Sequence, residues 1–220
     1  MTSVPSSRRI AVLISGRGSN LQSIIDAIAA RELDATLALV ISNRADAPGV
    51  LRAKEAGVEC LCLNPREYRD RDAYDRAIVD ALRARNVELV CLAGFMRLVG
   101  PPVLDAFPNA ILNIHPSLLP AFPGLDAQRQ AHEHGVRVTG ATVHLVNSDL
   151  DGGPIILQAA VPVLDDDTVD RLSARILIEE HRLYPEAIRL VLDGEWSIEG
   201  RRFVRTTRAA GLEVRPQADS

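Results

Sequence analysis

The chain has 220 residues, 47% hydrophobic and 25% charged, the balance of a globular protein with a sizeable core and not of a disordered segment. Its formal net charge of −4 gives no electrostatic footprint for nucleic acid or an anionic membrane surface. Arg, Asp or Glu interrupts every apolar run short of membrane-span length, and the opening MTSVPSSRR lacks the apolar core of a signal peptide.

Short β-rich runs alternate with longer helical patterns. RIAVLIS (9–15) reads as a buried strand, and residues 20–32 read as an amphipathic helix with Leu21, Ile24, Ile25 and Ile28 on one face. TLALVIS (36–42) is a second strand, followed by a helix over 48–57 that opens on Pro48 and closes at Gly57. VECLCL (58–63) is a third strand. Its Cys60 and Cys62, with Cys91, make an odd number of cysteines in apolar segments, which fits reduced thiols in a cytoplasmic protein. No second Cys/His pair stands at ligand spacing, so no metal is expected.

Residues 66–86 hold a third helix, 87–94 the fourth strand, then a Pro-rich helical turn, and 110–115 the fifth strand. Strands without strict alternation, each followed by a helix, predict an α/β fold: an open, mostly parallel twisted sheet with helices on both faces. From residue 136 the texture changes. Residues 136–147 and 154–163 read as two longer strands joined by SDLDGG, an antiparallel pair at one edge. A long helix spans 168–194, with Thr168 as N-cap and Gly194 after its end. Residues 1–206 are expected to form one catalytic domain and 207–220 a frayed tail.

Three segments carry candidate chemistry. SGRGSN (15–20) joins the first strand to its helix. Its glycines and the free N–H groups of the helix's first turn suit an anion, whereas Ser19 or Asn20 serving as N-cap would make it an ordinary turn. No Gly-Lys-Ser/Thr follows, and the third glycine of a dinucleotide fingerprint is absent. In NIHPS, Asn113 and His115 are two apart on a strand and share a face, and Pro116 places them at its carboxyl end. An amide can donate to a developing oxyanion and an imidazole can move a proton near neutral pH. In NSDLDGGP, Asp149 or Asp151 could orient the imidazole, although loop aspartates also form turns. His144 is a half-buried strand histidine or a group behind the site. His132 and His134, two apart on a helix, do not face each other. The run 165–167 reads as a solvated helix entry.

VLISGRGSNLQSIIDA, LAGFMRL, NIHPSLLPAFPG and SDLDGGPIILQA, in this order and at these separations, resemble the phosphoribosylglycinamide formyltransferase family over about residues 9–195. The resemblance implies a Rossmann-like formyltransferase fold and transfer of the formyl group of 10-formyltetrahydrofolate to glycinamide ribonucleotide in purine biosynthesis. Gly18, Ser19 and Asn20 would bind the ribonucleotide phosphate and neighbouring atoms, and Glu180 the ribose hydroxyls. Arg71, Met96, Arg97, Leu98 and Val99 would contact the formyl donor, with Asn113 beside it. Asn147, Ser148, Asp149, Leu150 and Asp151 would close the other side of that pocket. Asn113, His115 and Asp151 match the catalytic trio, which selects Asp151 over Asp149. In that chemistry Asn113 and a protonated His115 stabilise the oxyanion, Asp151 favours the imidazolium, and no metal is needed. One position departs from the family pattern: Leu177 stands where relatives often carry Lys or Gln, which leaves more of the phosphate to the glycine loop.

The expected partners are these two small molecules, without nucleic acid or membrane, and a homodimer is compatible with the pattern. Methionyl-tRNA formyltransferase would need a further C-terminal domain, for which the about 25 residues after LDGEW are too few. Formyltetrahydrofolate deformylase typically carries an N-terminal regulatory domain, and the first strand here begins by residue 9. A non-catalytic phosphoribosyl-ligand module is opposed by the retention of Asn113, His115 and Asp151 together.

Overall fold

The first strand, β1 (Arg9–Ile14), shows why both faces of the sheet must be covered. Ile10, Val12 and Ile14 enter one core while Ala11 and Leu13 enter another, and all five are fully buried. Full burial of an Ile, Leu or Val side chain contributes about 1.5–3 kcal/mol, so neither face can be left to solvent. The computed structural model describes residues 8–206, and the tail expected to fray, 207–220, lies outside the described residues.

In chain order the elements are β1, α1 (Ser19–Ala29), β2 (Thr36–Ser42), α2 (Pro48–Glu55), β3 (Cys60–Cys62), α3 (Arg71–Arg83), β4 (Leu89–Leu92), α4 (Pro101–Ala106), β5 (Ile111–His115), α5 (Ala127–His134), β6 (Val138–Leu145), β7 (Ile155–Pro162), α6 (Val169–Leu192), β8 (Trp196–Glu199) and β9 (Arg202–Arg205). The sheet order is β3-β2-β1-β4-β5-β6-β7-β9-β8. From β3 to β5 all pairings are parallel, and β6 runs antiparallel to both β5 and β7. Leu21 and Ile24 of α1 and Ile176, Leu183, Tyr184 and Ile188 of α6 cover one face. Tyr74, Ile78 and Leu82 of α3 and Val103 of α4 cover the other. The chain winds outward from β1 to β3, then returns to the other side of β1 for β4 and β5. The loops leaving β1 and β4 therefore diverge at a topological switch point, where open α/β sheets form ligand crevices.

Most expected elements are present with ends trimmed by a few residues; two differences have local causes. The helix expected over 66–86 divides into a 3-10 turn at Pro65–Glu67 and α3. Asn64 accepts from the Arg66 N–H, and Asp70 accepts from the Ala73 N–H at 2.7 Å. These side chains offer the backbone the partners that a continuous helix would supply. The second difference is a C-terminal hairpin. The antiparallel β6–β7 pair is present, but it is not the edge, because β9 pairs with β7 at Ile155↔Arg202 and β8 lies beyond it. Trp196 stacks on Phe203 with ring centroids 5.0 Å apart, and its Nε1–H donates to the Val191 carbonyl at 2.9 Å.

Gly140 in β6 sets a steric limit: a Cβ there would overlap the Ala159 carbonyl oxygen of β7 and lie 2.9 Å from Leu118 Cδ2. Since the backbone of a central strand cannot withdraw without breaking its ladder, Gly140→Ala should lower the unfolding free energy by about 3 kcal/mol, read as a lower urea midpoint.

Candidate active site

Register decides which side chains meet at the end of β5. Asn113 pairs with His144 and His115 with Thr142 across the antiparallel ladder, and residues directly opposite share a face. Asn113, His115 and His144 thus converge, with both histidines buried. Asp151 reaches them from the turn after β6. Its φ of 48° lies in the left-handed region, which aspartate tolerates better than most residues. The turn is held closely, since a Cβ on Gly153 would overlap the Leu145 carbonyl oxygen, and Arg201 from the hairpin donates to the Gly152 carbonyl at 2.7 Å.

The Asp151 carboxylate is the meeting point. Its Oδ2 accepts from the Gly124 N–H at 2.8 Å and lies 3.4 Å from His115 Nδ1. Its Oδ1 lies 3.4 Å from Asn113 Nδ2 and 3.6 Å from His144 Nε2. The segment supplying Gly124 and Phe122 is anchored to the sheet. Thr142 Oγ1 donates to the Ser117 carbonyl at 2.7 Å, and the Leu119 N–H donates back to Thr142 Oγ1 at 3.1 Å.

Two loops flank this centre. Gly18, at φ 68°, caps α1 without a side-chain bond, so neither Ser19 nor Asn20 is the N-cap; Ser19 is the first helical residue. Asn20 instead donates from Nδ2 to Glu180 Oε2 at 2.6 Å, joining the loop to α6, and its Oδ1 has no partner among the described residues. On the other side, Arg71 donates from Nη2 to the Leu98 carbonyl at 2.9 Å, and Asp75 accepts from the Gly100 N–H at 2.8 Å. The Arg97 guanidinium lies 5.2 Å from the centre of the Tyr74 ring. Met96 donates its N–H to Ser15 Oγ at 2.8 Å, which joins this loop to the end of β1. Met96, Leu98 and Leu150 are exposed apolar side chains, whereas Val99 is buried and offers only backbone. Asn147 accepts from the Asp149 N–H at 3.0 Å, the turn-forming role, and Ser148 and Asp149 are exposed. Among the described residues no group of three or more His, Cys, Asp or Glu side chains could hold a metal ion.

The formyl transferase family model matches residues 8–188. The chain belongs to the formyl transferase family. Phosphoribosylglycinamide formyltransferase of Escherichia coli is 46% identical over 185 residues, covering 84% of this chain and 87% of that protein. The trifunctional purine biosynthetic protein adenosine-3 of Bos taurus is 46% identical over 190 residues, and the matched part is only 19% of its length. The crystal structure of glycinamide ribonucleotide transformylase 1 from Symbiobacterium toebii superposes with a TM-score of 0.89 at 60% identity, covering 90% of this chain and 94% of that one.

Protonation in this formyltransferase chain follows from the acceptors. His115 Nε2 lies 2.8 Å from the Phe122 carbonyl, which can only accept, so Nε2 carries the proton. Nδ1 of the neutral ring is then bare, and its 3.4 Å from the carboxylate exceeds a formed N–H···O bond. His144 repeats the pattern: Nδ1–H donates to the Leu145 carbonyl at 2.9 Å, and Nε2 accepts from Asn113 Nδ2 at 3.2 Å. Both Asn113 amide protons are thus engaged, the weaker at Asp151, and that one is free to be redirected. Burial lowers the His115 pKa, against the pull of the Phe122 carbonyl and Asp151. Burial therefore favours the neutral ring before reaction, whereas the resemblance implies a protonated His115 at the oxyanion. Burial would raise the Asp151 pKa, but the polar groups around the carboxylate, the Gly124 N–H among them, hold it below its usual value. Burial raises Glu180, against Asn20 and Arg17.

The sequence reading left His144 undecided and missed Gly124 and Phe122. Only the β5–β6 register places His144 opposite Asn113.

His115 binds a proton more readily unfolded than folded, so its contribution to stability is lost as pH falls through its ordinary value of 6.5. Asp151 acts in the same direction but below its ordinary value of 3.8. Urea unfolding between pH 8 and pH 5 should therefore show wild type losing more stability on acidification than His115→Gln.

Proposed function

We propose that this chain transfers the formyl group of 10-formyltetrahydrofolate to the amine of glycinamide ribonucleotide, giving formylglycinamide ribonucleotide and tetrahydrofolate in purine biosynthesis. One observation carries the reading. An anion-accepting glycine loop and an imidazole–carboxylate pair with room for one proton lie at the same end of one sheet. A relative that is 46% identical over 185 residues, most of both chains, bears that enzyme's name.

The N–H groups of Ser19 and Asn20 at the start of α1 receive the phosphate, where the helix dipole favours negative charge. Asn20 and Glu180 hold the ribose hydroxyls. The rim of Met96, Leu98 and Leu150, with the guanidinium of Arg71 nearby, fits a flat, partly apolar ligand with an acidic tail. When bound, the formyl donor supplies an electrophilic carbonyl carbon and a leaving nitrogen. Asn113 redirects the amide proton now 3.4 Å from Asp151 onto the formyl oxygen as negative charge develops there. The bare Nδ1 of His115 and the Asp151 carboxylate accept the proton that the substrate amine releases on attack, forming an ion pair where two acceptors had faced each other. The same proton then passes to the leaving nitrogen. His144 holds the Asn113 amide in orientation through Nε2.

Cys60, Cys62 and Cys91 are free thiols, and no described helix is long and apolar enough to cross a membrane. The free thiols support a cytoplasmic setting for this reaction.

Tetrahydrofolate release should require glycinamide ribonucleotide; release without it would identify a deformylase, and ribonucleotide binding without any release a non-catalytic module. Asn113→Ala, His115→Ala and Asp151→Ala should each lower kcat by about 10²–10³-fold while circular dichroism stays native. Near-normal turnover by His115→Ala would remove that residue from the mechanism.

A further inference from the structure

The last helix offers a phosphate no arginine or lysine free of a carboxylate. Leu177 and Ile178, one turn or less before Glu180, are apolar. The arginines of α6 are paired with carboxylates: Arg171 with Asp166, Arg175 with Asp167, Arg182 with Glu179 and Glu186, and Arg189 with Asp193. Two other arginines border the glycine loop, and neither has a carboxylate partner among the described residues. Arg17 immediately precedes Gly18 and is exposed. Arg52 comes from α2, whose first turn packs on the loop: the Gly49 N–H donates to the Gly16 carbonyl at 3.0 Å. A Cβ on Gly18 would lie 2.6 Å from Gly49 Cα and 3.5 Å from Arg52 Cδ.

Arg52 is also oriented. Its Nε donates to the Arg17 carbonyl at 3.0 Å and its Nη1 to Gln22 Oε1 at 3.1 Å, while Gln22 Nε2 donates to Asp26 Oδ1 at 2.8 Å. Two of the five guanidinium N–H donors are thereby used to fix the plane, and the rest stay available beside the uncapped start of α1. The charge of Arg17 reaches the same place, because it acts on the Glu180 carboxyl that Asn20 holds. Asn20 is itself 8% exposed and keeps Oδ1 without a partner among the described residues, so the position is built to receive a polar ligand.

We propose that Arg17 and Arg52 form the cationic wall of the phosphate site, so that this chain binds the ribonucleotide phosphate from the α1–α2 side and not from its last helix. The proposal rests on the formyl-transfer reading, which names the phosphate's owner. Loop N–H groups alone would orient a phosphate; two unpaired guanidinium groups add charge-assisted bonds and neutralise its second charge.

The test measures formyl transfer and, separately, binding of inorganic phosphate by titration calorimetry, for wild type, Arg17→Gln, Arg52→Gln and Arg52→Lys. Each Gln variant should raise the KM for glycinamide ribonucleotide roughly tenfold, with kcat and the formyl-donor KM within about twofold. Phosphate binding should weaken in parallel, and Arg52→Lys should fall between. Adding Leu177→Lys to Arg17→Gln should recover part of the lost affinity by restoring a cation on α6. If Arg52→Gln fails to fold, the exposed Arg17→Gln still decides. Wild-type KM and phosphate affinity in the Gln variants would overturn the proposal. If wild type formylates no ribonucleotide, the formyl-transfer reading fails, and the calorimetry still tests the two arginines against phosphate.

Discussion

The Asp151 carboxylate is the interaction on which the site depends. It is held by β5 through the Asn113 amide and by the loop after β5 through the Gly124 N–H, while His115 and His144 face it. A carboxylate that is mostly buried must be surrounded by donors or lose its charge. Gly124 and Asn113 supply donors and leave both imidazole nitrogens that face it bare. The result is a charged acceptor opposite an uncharged one, with one proton missing between them. In the proposed formyl transfer such a pair takes up the proton of the attacking amine and returns it to the leaving nitrogen.

Around that carboxylate, the walls of the site are tied to each other more than to the centre. Ser15 at the end of β1 accepts from the Met96 N–H after β4, so the two loops of the switch point are joined. α3 fastens the second loop at three places, through Arg71, Tyr74 and Asp75. Asp75 is instructive, because burial raises its pKa while the Gly100 N–H and Arg71 oppose the shift. A buried acid at that position is explained by the backbone N–H it receives, since a Cβ on Gly100 would overlap it. The C-terminal hairpin adds a clamp, Arg201 on the Gly152 carbonyl, one residue from Asp151.

Much of this was legible in the residues. The parallel sheet followed from continuous apolar strands, the glycine turn into α1 from glycines before a helix, and the shared face of Asn113 and His115 from the two-residue period of a strand. The hairpin was not, because four-residue strands carry too little alternation to stand out from a loop. The choice between Asp149 and Asp151 was also not legible from spacing. Both follow the same turn chemistry, and only the chain path makes Asp149 a turn-former and Asp151 a buried partner.

The boundary between the two kinds of information is therefore physical. Sequence by itself determined local matters: most of the helices and strands up to the last helix, the Thr168 cap, and which polar residues stand at the carboxyl end of β5. Those depend on side-chain period and on backbone partners a few residues away. Tertiary structure alone decided that His144 lies opposite Asn113, that burial pulls the His115 pKa down, and that Arg52 stands beside a loop 35 residues earlier. These depend on strand register, on burial and on helix packing, which join residues that no short-range pattern connects.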